Sequence, residues 1–106
     1  MSFHLSAISF ELEDSHILKG VLRDEGGDEQ ESTLDLNNII GNNNGSFEWE
    51  GADFADSATN VELHREGDDQ VPVLRAMLSD VDGNMVAADM NLAERIENQN
   101  GRFEFI

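Results

Sequence analysis

The chain contains no cysteine, and this absence excludes disulfides, thiolate nucleophiles and cysteine-ligated metals together. A small chain without such staples must be held by packing alone. Basic residues are scarce, six Lys and Arg against 23 Asp and Glu, for a formal charge of -17. Charges more than about 8 Å apart are largely screened at physiological salt, yet such a field still disfavours polyanions at short range. Nucleic acid and anionic lipid are therefore poor partners. Long apolar runs are missing too, none approaching the roughly 20 residues that span a bilayer, so no membrane partner is expected. The opening "MSFHLSAISFELED" has no basic n-region and turns acidic by Glu11. Without a signal or a cysteine, the expected setting is intracellular and cytoplasmic.

Motifs for chemistry are equally thin. His4, His16 and His64 lack metal-ligand spacing such as HExxH. The stretch "DVDGN" at Asp80–Asn84 begins like a calcium loop, but Met85 stands where its glycine belongs and Asn91 where its glutamate belongs. No Ser, His and Asp arrangement is visible, so neither an enzyme nor a cofactor is expected. Asn44-Gly45-Ser46 fits a glycosylation acceptor, which has no use without secretion.

What is present is a core and a repeat. Of 106 residues 39% are hydrophobic, with six Phe and one Trp, enough for one compact domain over 1–106. A shift of 56 sets Ile17–Trp49 against Val73–Phe105 with eleven identities in 33 pairs, among them Leu18, Leu22, Asp24, Asn42, Asn44, Gly45 and Phe47. A shift of 51 pairs Phe3, Ser6, Ala7, Glu11 and Leu12 with Phe54, Ser57, Ala58, Glu62 and Leu63. The two shifts differ by about five residues, inserted around "REGDDQ". The chain is thus a tandem repeat, 1–50 and 51–106.

Each copy has one grammar. "SAISFELE" alternates, and "HILKGVLRD" places Leu18, Gly20 and Leu22 on one side of a strand and Ile17, Lys19, Val21 and Arg23 on the other. "EGGD" makes a turn, and "SFEWE" alternates again. These are short antiparallel strands joined by tight turns. "LNNII" and "LAERI" suit one helical turn each. Pro72 fits a loop or the first residue of a strand. Single hairpins are marginal, so the copies must lean on each other. The alternation and duplication of Phe47, Trp49, Phe103 and Phe105 place them in the core or the seam between repeats.

The doubled "LDLNNIIGNNNGSFEW" and "NLAERIENQNGRFEF", with upstream "VLRDEGG" and "MLSDVDG", resembles the cyanovirin-N homology family over essentially the whole chain. That resemblance implies an all-β, elongated, pseudo-two-fold domain in which strands are exchanged between the repeats, so that each half is built from both. It also implies a non-catalytic lectin, generally for mannose-rich oligosaccharides, with a site at the distal end of each half.

Departures from the prototype are specific. The resemblance puts the prototype's two disulfides at Ala7 with Leu22 and at Ala58 with Leu78, here a small and a large apolar residue in both repeats. Closing such loops is worth about 3 kcal/mol, while burying a leucine supplies about 1.5 to 3, so the exchange can break even. At the junction the prototype's proline is replaced in Glu50-Gly51-Ala52. That family swaps strands into dimers through this hinge, and a flexible glycine lets the chain turn back as a monomer.

Neutral sugars are held by amides, carboxylates and hydroxyls matched to vicinal hydroxyls, a task that an acidic surface does not oppose. The resemblance lines a mid-chain site with Gly41, Asn42, Asn44, Asp53, Asp56, Ser57, Ser79, Asp80, Val81 and Gly83. It lines a terminal site with Ser2, Leu5, Ser6, Arg23, Asp24, Glu25, Asn98, Gln99 and Asn100. Gly41 and Val81 depart from the family in the first, Leu5 and Arg23 in the second. Two equal sites are not expected, and the mid-chain site is the better preserved. A bland role competes throughout: Asn beside Gly is what a hairpin turn needs, so Asn42 and Asn98 brace turns before they touch any ligand. A scaffold that has kept its fold and lost its pockets would be an interaction module instead.

Overall fold

The computed structural model describes residue 3 and residues 7–106. Among the described residues ten strands carry the fold. β1 (Ala7–Glu13), β2 (Ile17–Arg23) and β3 (Glu29–Asp35) form one antiparallel sheet, and β6 (Ala58–Glu66), β7 (Val71–Ser79) and β8 (Met85–Asn91) form its counterpart. Two hairpins complete the set, β4 (Ile40–Asn43) with β5 (Ser46–Trp49), and β9 (Ile96–Gln99) with β10 (Arg102–Phe105).

The sequence shift reappears as geometry. Adding 56 to the bounds of β3, β4 and β5 gives those of β8, β9 and β10, and the 3-10 turn Leu36–Asn38 maps onto Leu92–Glu94. Both turns have the same start: Asp35 and Asn91 are extended residues whose side chains accept from the N–H groups of Asn37 and Ala93. The insertion lengthens β6 and β7 to nine residues where β1 and β2 have seven. Pro72 is the second residue of β7 rather than the first. It lies beyond the stretch paired with β8, which begins at Val73, so the sheet is only two strands wide there and tolerates a missing N–H.

Strands are exchanged as expected. The β4–β5 hairpin of the first repeat packs on β8 of the second, and the β9–β10 hairpin of the second packs on β3 of the first. The molecule is elongated, measuring 50 × 27 × 21 Å.

One apolar cluster draws on both repeats, including Leu18, Leu22, Leu36, Ile40, Phe54, Leu74, Leu92, Ile96 and Phe103. Alternation in β2 buries Leu18, Gly20 and Leu22 and leaves their neighbours half-exposed or exposed. Phe103 meets Phe3 edge-on at 5.2 Å, and the repeat-related pair Phe47 and Phe54 does so at 5.6 Å. Trp49 stacks on Phe105, its own repeat mate, with centroids 5.8 Å apart, so the aromatics form the seam. Ala7 lies opposite Leu22 in the β1–β2 ladder and Ala58 opposite Leu78 in β6–β7, with both leucines fully buried. Apolar contact thus occupies the two places where the family prototype is bridged.

Candidate functional site

The mid-chain set is assembled from three segments tied by one side chain. Asn42 on β4 donates through Nδ2 to Ser57 Oγ and to the Ser79 carbonyl, both at 2.8 Å, and accepts from the Gly45 N–H at 2.9 Å. Both amide hydrogens and one lone pair are therefore spent inside the protein. Asn44, at the αL position of the hairpin (φ 50°), accepts from the Val81 N–H at 3.0 Å. Gly45 follows at φ +87°, and a Cβ there would press Val86 at 3.2 Å. The hairpin tip thereby seats against the Asp80–Asn84 loop.

That loop is organised by Asp80. Its Oδ1 accepts from the N–H groups of Asp82 and Asn84, each at 2.9 Å, while backbone bonds join Asp80 to Asn84 and to Gly83, whose φ of +84° closes the turn. Asp80 Oδ2 has no partner among the described residues. Asp56 is exposed beside half-buried Ser57, and Val81 stands out at 80% exposure.

Gly41 and Asp53 play a different part. Asp53 is in the αL region (φ 59°), bridges to Gly41, and donates its N–H to the Asn37 carbonyl at 2.8 Å. A Cβ on Gly51 would lie 2.7 Å from Gly41 N, and one on Gly41 would lie 3.0 Å from Ala52 N. Gly41 thus has little room for a side chain, because the backbone of the junction occupies the space.

The terminal set repeats the design. Asn98 Nδ2 donates to the Arg23 carbonyl and its Oδ1 accepts from the Gly101 N–H, both at 2.8 Å, while Asn100 Oδ1 accepts from the Glu25 N–H at 2.9 Å. Gln99 turns aside to Glu97, at 2.8 Å. Ser2, Leu5 and Ser6 lie outside the described residues.

The two turn aspartates differ in one acceptor. Asp24 Oδ1 accepts from the Gly26 and Asp28 N–H groups as Asp80 does, but its Oδ2 also accepts from Gln30 Nε2 at 3.1 Å. The Asp28 N–H first, and then the Gln30 amide, hold the Asp24 carboxyl below its ordinary pKa. In the mid-chain half the place of Gln30 is taken by Val86, which has nothing to donate. Sequence reasoning missed Gln30, Met85 and Val86. The signal was in the aligned pairs Glu29 with Met85 and Gln30 with Val86, where polar residues face apolar ones.

A model of the CVNH domain matches residues 3–104. The chain belongs to this family. It is similar to the cyanovirin-N homolog of Neurospora crassa, 41% identical over 108 residues that cover 98% of this chain and 97% of that one. The CVNH structure from Gibberella zeae superposes with a TM-score of 0.92 at 50% identity, covering 97% of this chain and 95% of the other. A designed cyanovirin-N homolog lectin gives 0.93 at 39% identity over the whole of both. This CVNH chain is a cysteine-free member with the fold of non-catalytic, carbohydrate-binding lectins. Among its described residues no group of His, Asp or Glu is arranged to hold a metal ion, no polar or charged residue is buried, and no helix is long and apolar enough to cross a membrane.

Proposed function

We propose that this CVNH chain binds terminal units of mannose-type oligosaccharides, principally at the mid-chain set. The observation that carries this reading is Asp80: a carboxylate pinned through Oδ1 by its own loop, with Oδ2 free to accept from vicinal hydroxyls. Ser57 and the exposed Asp56 belong to the segment that Asn42 ties to the same strand end. A relative at 39% identity is itself named a lectin. Asn42 holds this arrangement, and ligand recognition falls to its neighbours. The terminal set is the weaker one, since the second oxygen of Asp24 already accepts from Gln30.

A heteronuclear NMR titration with a dimannoside tests this. Saturable shifts are expected at Asp56, Ser57, Asp80 and Gly83, with smaller ones around Asp24; unmoved amides at millimolar sugar would reject it. Among the described residues the exposed large apolar side chains are Ile8, Val81, Met85, Val86 and Ile106. Three of the five frame the mid-chain loop, so they give no separate support to an interaction surface elsewhere.

A further inference from the structure

Away from both distal loops, β5 of the first repeat packs against β8 of the second, and a groove of about 470 Å³ lined from β5, β7 and β8 opens there. Its apolar side is Phe47 and Trp49, both half-buried, with Trp49 fixed by its stack on Phe105. Its polar side is Arg75 with Asp89, Asn91 and Glu94. Arg75 lies four residues before Ser79 on β7, roughly 13 Å along the strand from the mid-chain set.

The polar wall is pre-organised. Arg75 makes a two-pronged pair with Glu66, Nε to Oε2 at 2.7 Å and Nη2 to Oε1 at 2.8 Å, and Nη1 reaches Asp89 Oδ2 at 3.3 Å. Of five guanidinium hydrogens, about two remain to donate. Asn91 caps the Leu92–Glu94 turn through Oδ1, and among the described residues its Nδ2 has no partner. Asp89 Oδ1 and the exposed Glu94 carboxylate are free to accept. Glu66 comes from the insertion that only the second repeat has. In the other half, the places of Asp89 and Glu94 are held by Thr33 and Asn38, and Asp35, in the place of Asn91, is bound by His16 at 2.8 Å. The groove is therefore peculiar to one half.

We infer that this groove is a third binding site, for a β-linked glucopyranosyl oligosaccharide, plain or 2-acetamido. Aromatic rings favour a ligand with a flat face of C–H groups, and a β-linked sugar of gluco configuration, with equatorial substituents, presents such faces. A ring of donors and acceptors around that platform matches its rim of hydroxyls. Three carboxylates against one guanidinium leave the groove negative, which selects neutral sugars over sulfated or acidic ones. The site is independent of either distal loop.

Trp49 is the sole tryptophan, so its indole N–H resonance reports this groove, while the amides of Ser57 and Asp80 report the mid-chain set. Titration with cellotetraose and with chitotetraose is expected to shift the indole signal saturably, and a dimannoside to shift it far less. Glu94→Ala is expected to weaken that response about fivefold or more, leaving the Asp80 response to dimannoside unchanged. An indole signal unmoved by both tetrasaccharides overturns the inference, whether or not Asp80 responds. So does an indole response that both Glu94→Ala and Asp89→Asn leave intact. A moving indole with a silent Asp80 sustains this site and rejects the mid-chain reading.

Discussion

Ala58 and Leu78 face each other across the β6–β7 ladder, with Leu78 fully buried, as do Ala7 and Leu22 in the other half. A large side chain fills the space above a small one, and packing replaces a covalent link. Truncating Leu78 or Leu22 to Ala is expected to cost about 2 to 5 kcal/mol in urea denaturation. A loss below about 0.5 kcal/mol at either would remove that residue from the core.

The same pairing can be converted. Antiparallel partners have Cα atoms about 4.5 to 5.5 Å apart, within reach of a disulfide. The double substitution Ala58→Cys with Leu78→Cys is expected to oxidise readily and to differ by about 3 kcal/mol between its oxidised and reduced forms. The parent is expected to melt at the same temperature with or without reductant, having no cysteine. Failure to form the bond would place the register of β6 against β7 in error.

Asn42→Ala is expected to cost about 1 to 3 kcal/mol, because the Gly45 N–H and the Ser79 carbonyl both lose their partner. Asn42→Asp keeps the acceptor for Gly45 but sets a carboxylate oxygen against the Ser79 carbonyl, and should be no more stable than the alanine variant. Chemical denaturation orders the three.

Asp24 titrates below the usual 3.8 because native backbone and Gln30 donors favour its charged form. A depressed folded-state pKa means that its contribution is present above the unfolded value and fades as pH falls through the folded one. Carbon-detected carboxyl NMR should find Asp24 still ionised when exposed aspartates have taken protons. Gln30→Val, which copies the mid-chain half, should raise that pKa towards normal.

Gly51 packs on Gly41 so closely that a Cβ would stand 2.7 Å from a backbone nitrogen. Gly51→Ala should therefore open the junction and favour exchange of halves between two chains, seen as dimer in sedimentation at two concentrations. The parent is expected to sediment as monomer at both.

Much of this was legible in the sequence because repetition averages out local ambiguity. The shift of 56 located β3 to β5 and their mates, and the alternation in β2 gave its buried face. The role of Asn42 was legible only as competing possibilities, since bracing and ligand contact ask for the same amide. Less local features were hidden. Whether Asp24 or Asp80 has a free oxygen depends on Gln30 reaching back across a turn, and the groove depends on Glu66 and Arg75 meeting nine positions apart on neighbouring strands. Those contacts are set by tertiary placement of long side chains, which periodicity does not encode.

The most direct measurement compares dimannoside affinity in the parent, Asp80→Asn and Asp24→Asn by NMR titration. Asparagine can still accept through Oδ1, so either loop can keep its turn while losing carboxylate charge. The expected result is a loss of about tenfold or more for Asp80→Asn, from hydrogen bonds to a charged acceptor, and little change in the tighter event for Asp24→Asn. Equal affinity in the parent and Asp80→Asn, with the fold intact, would contradict the mid-chain assignment.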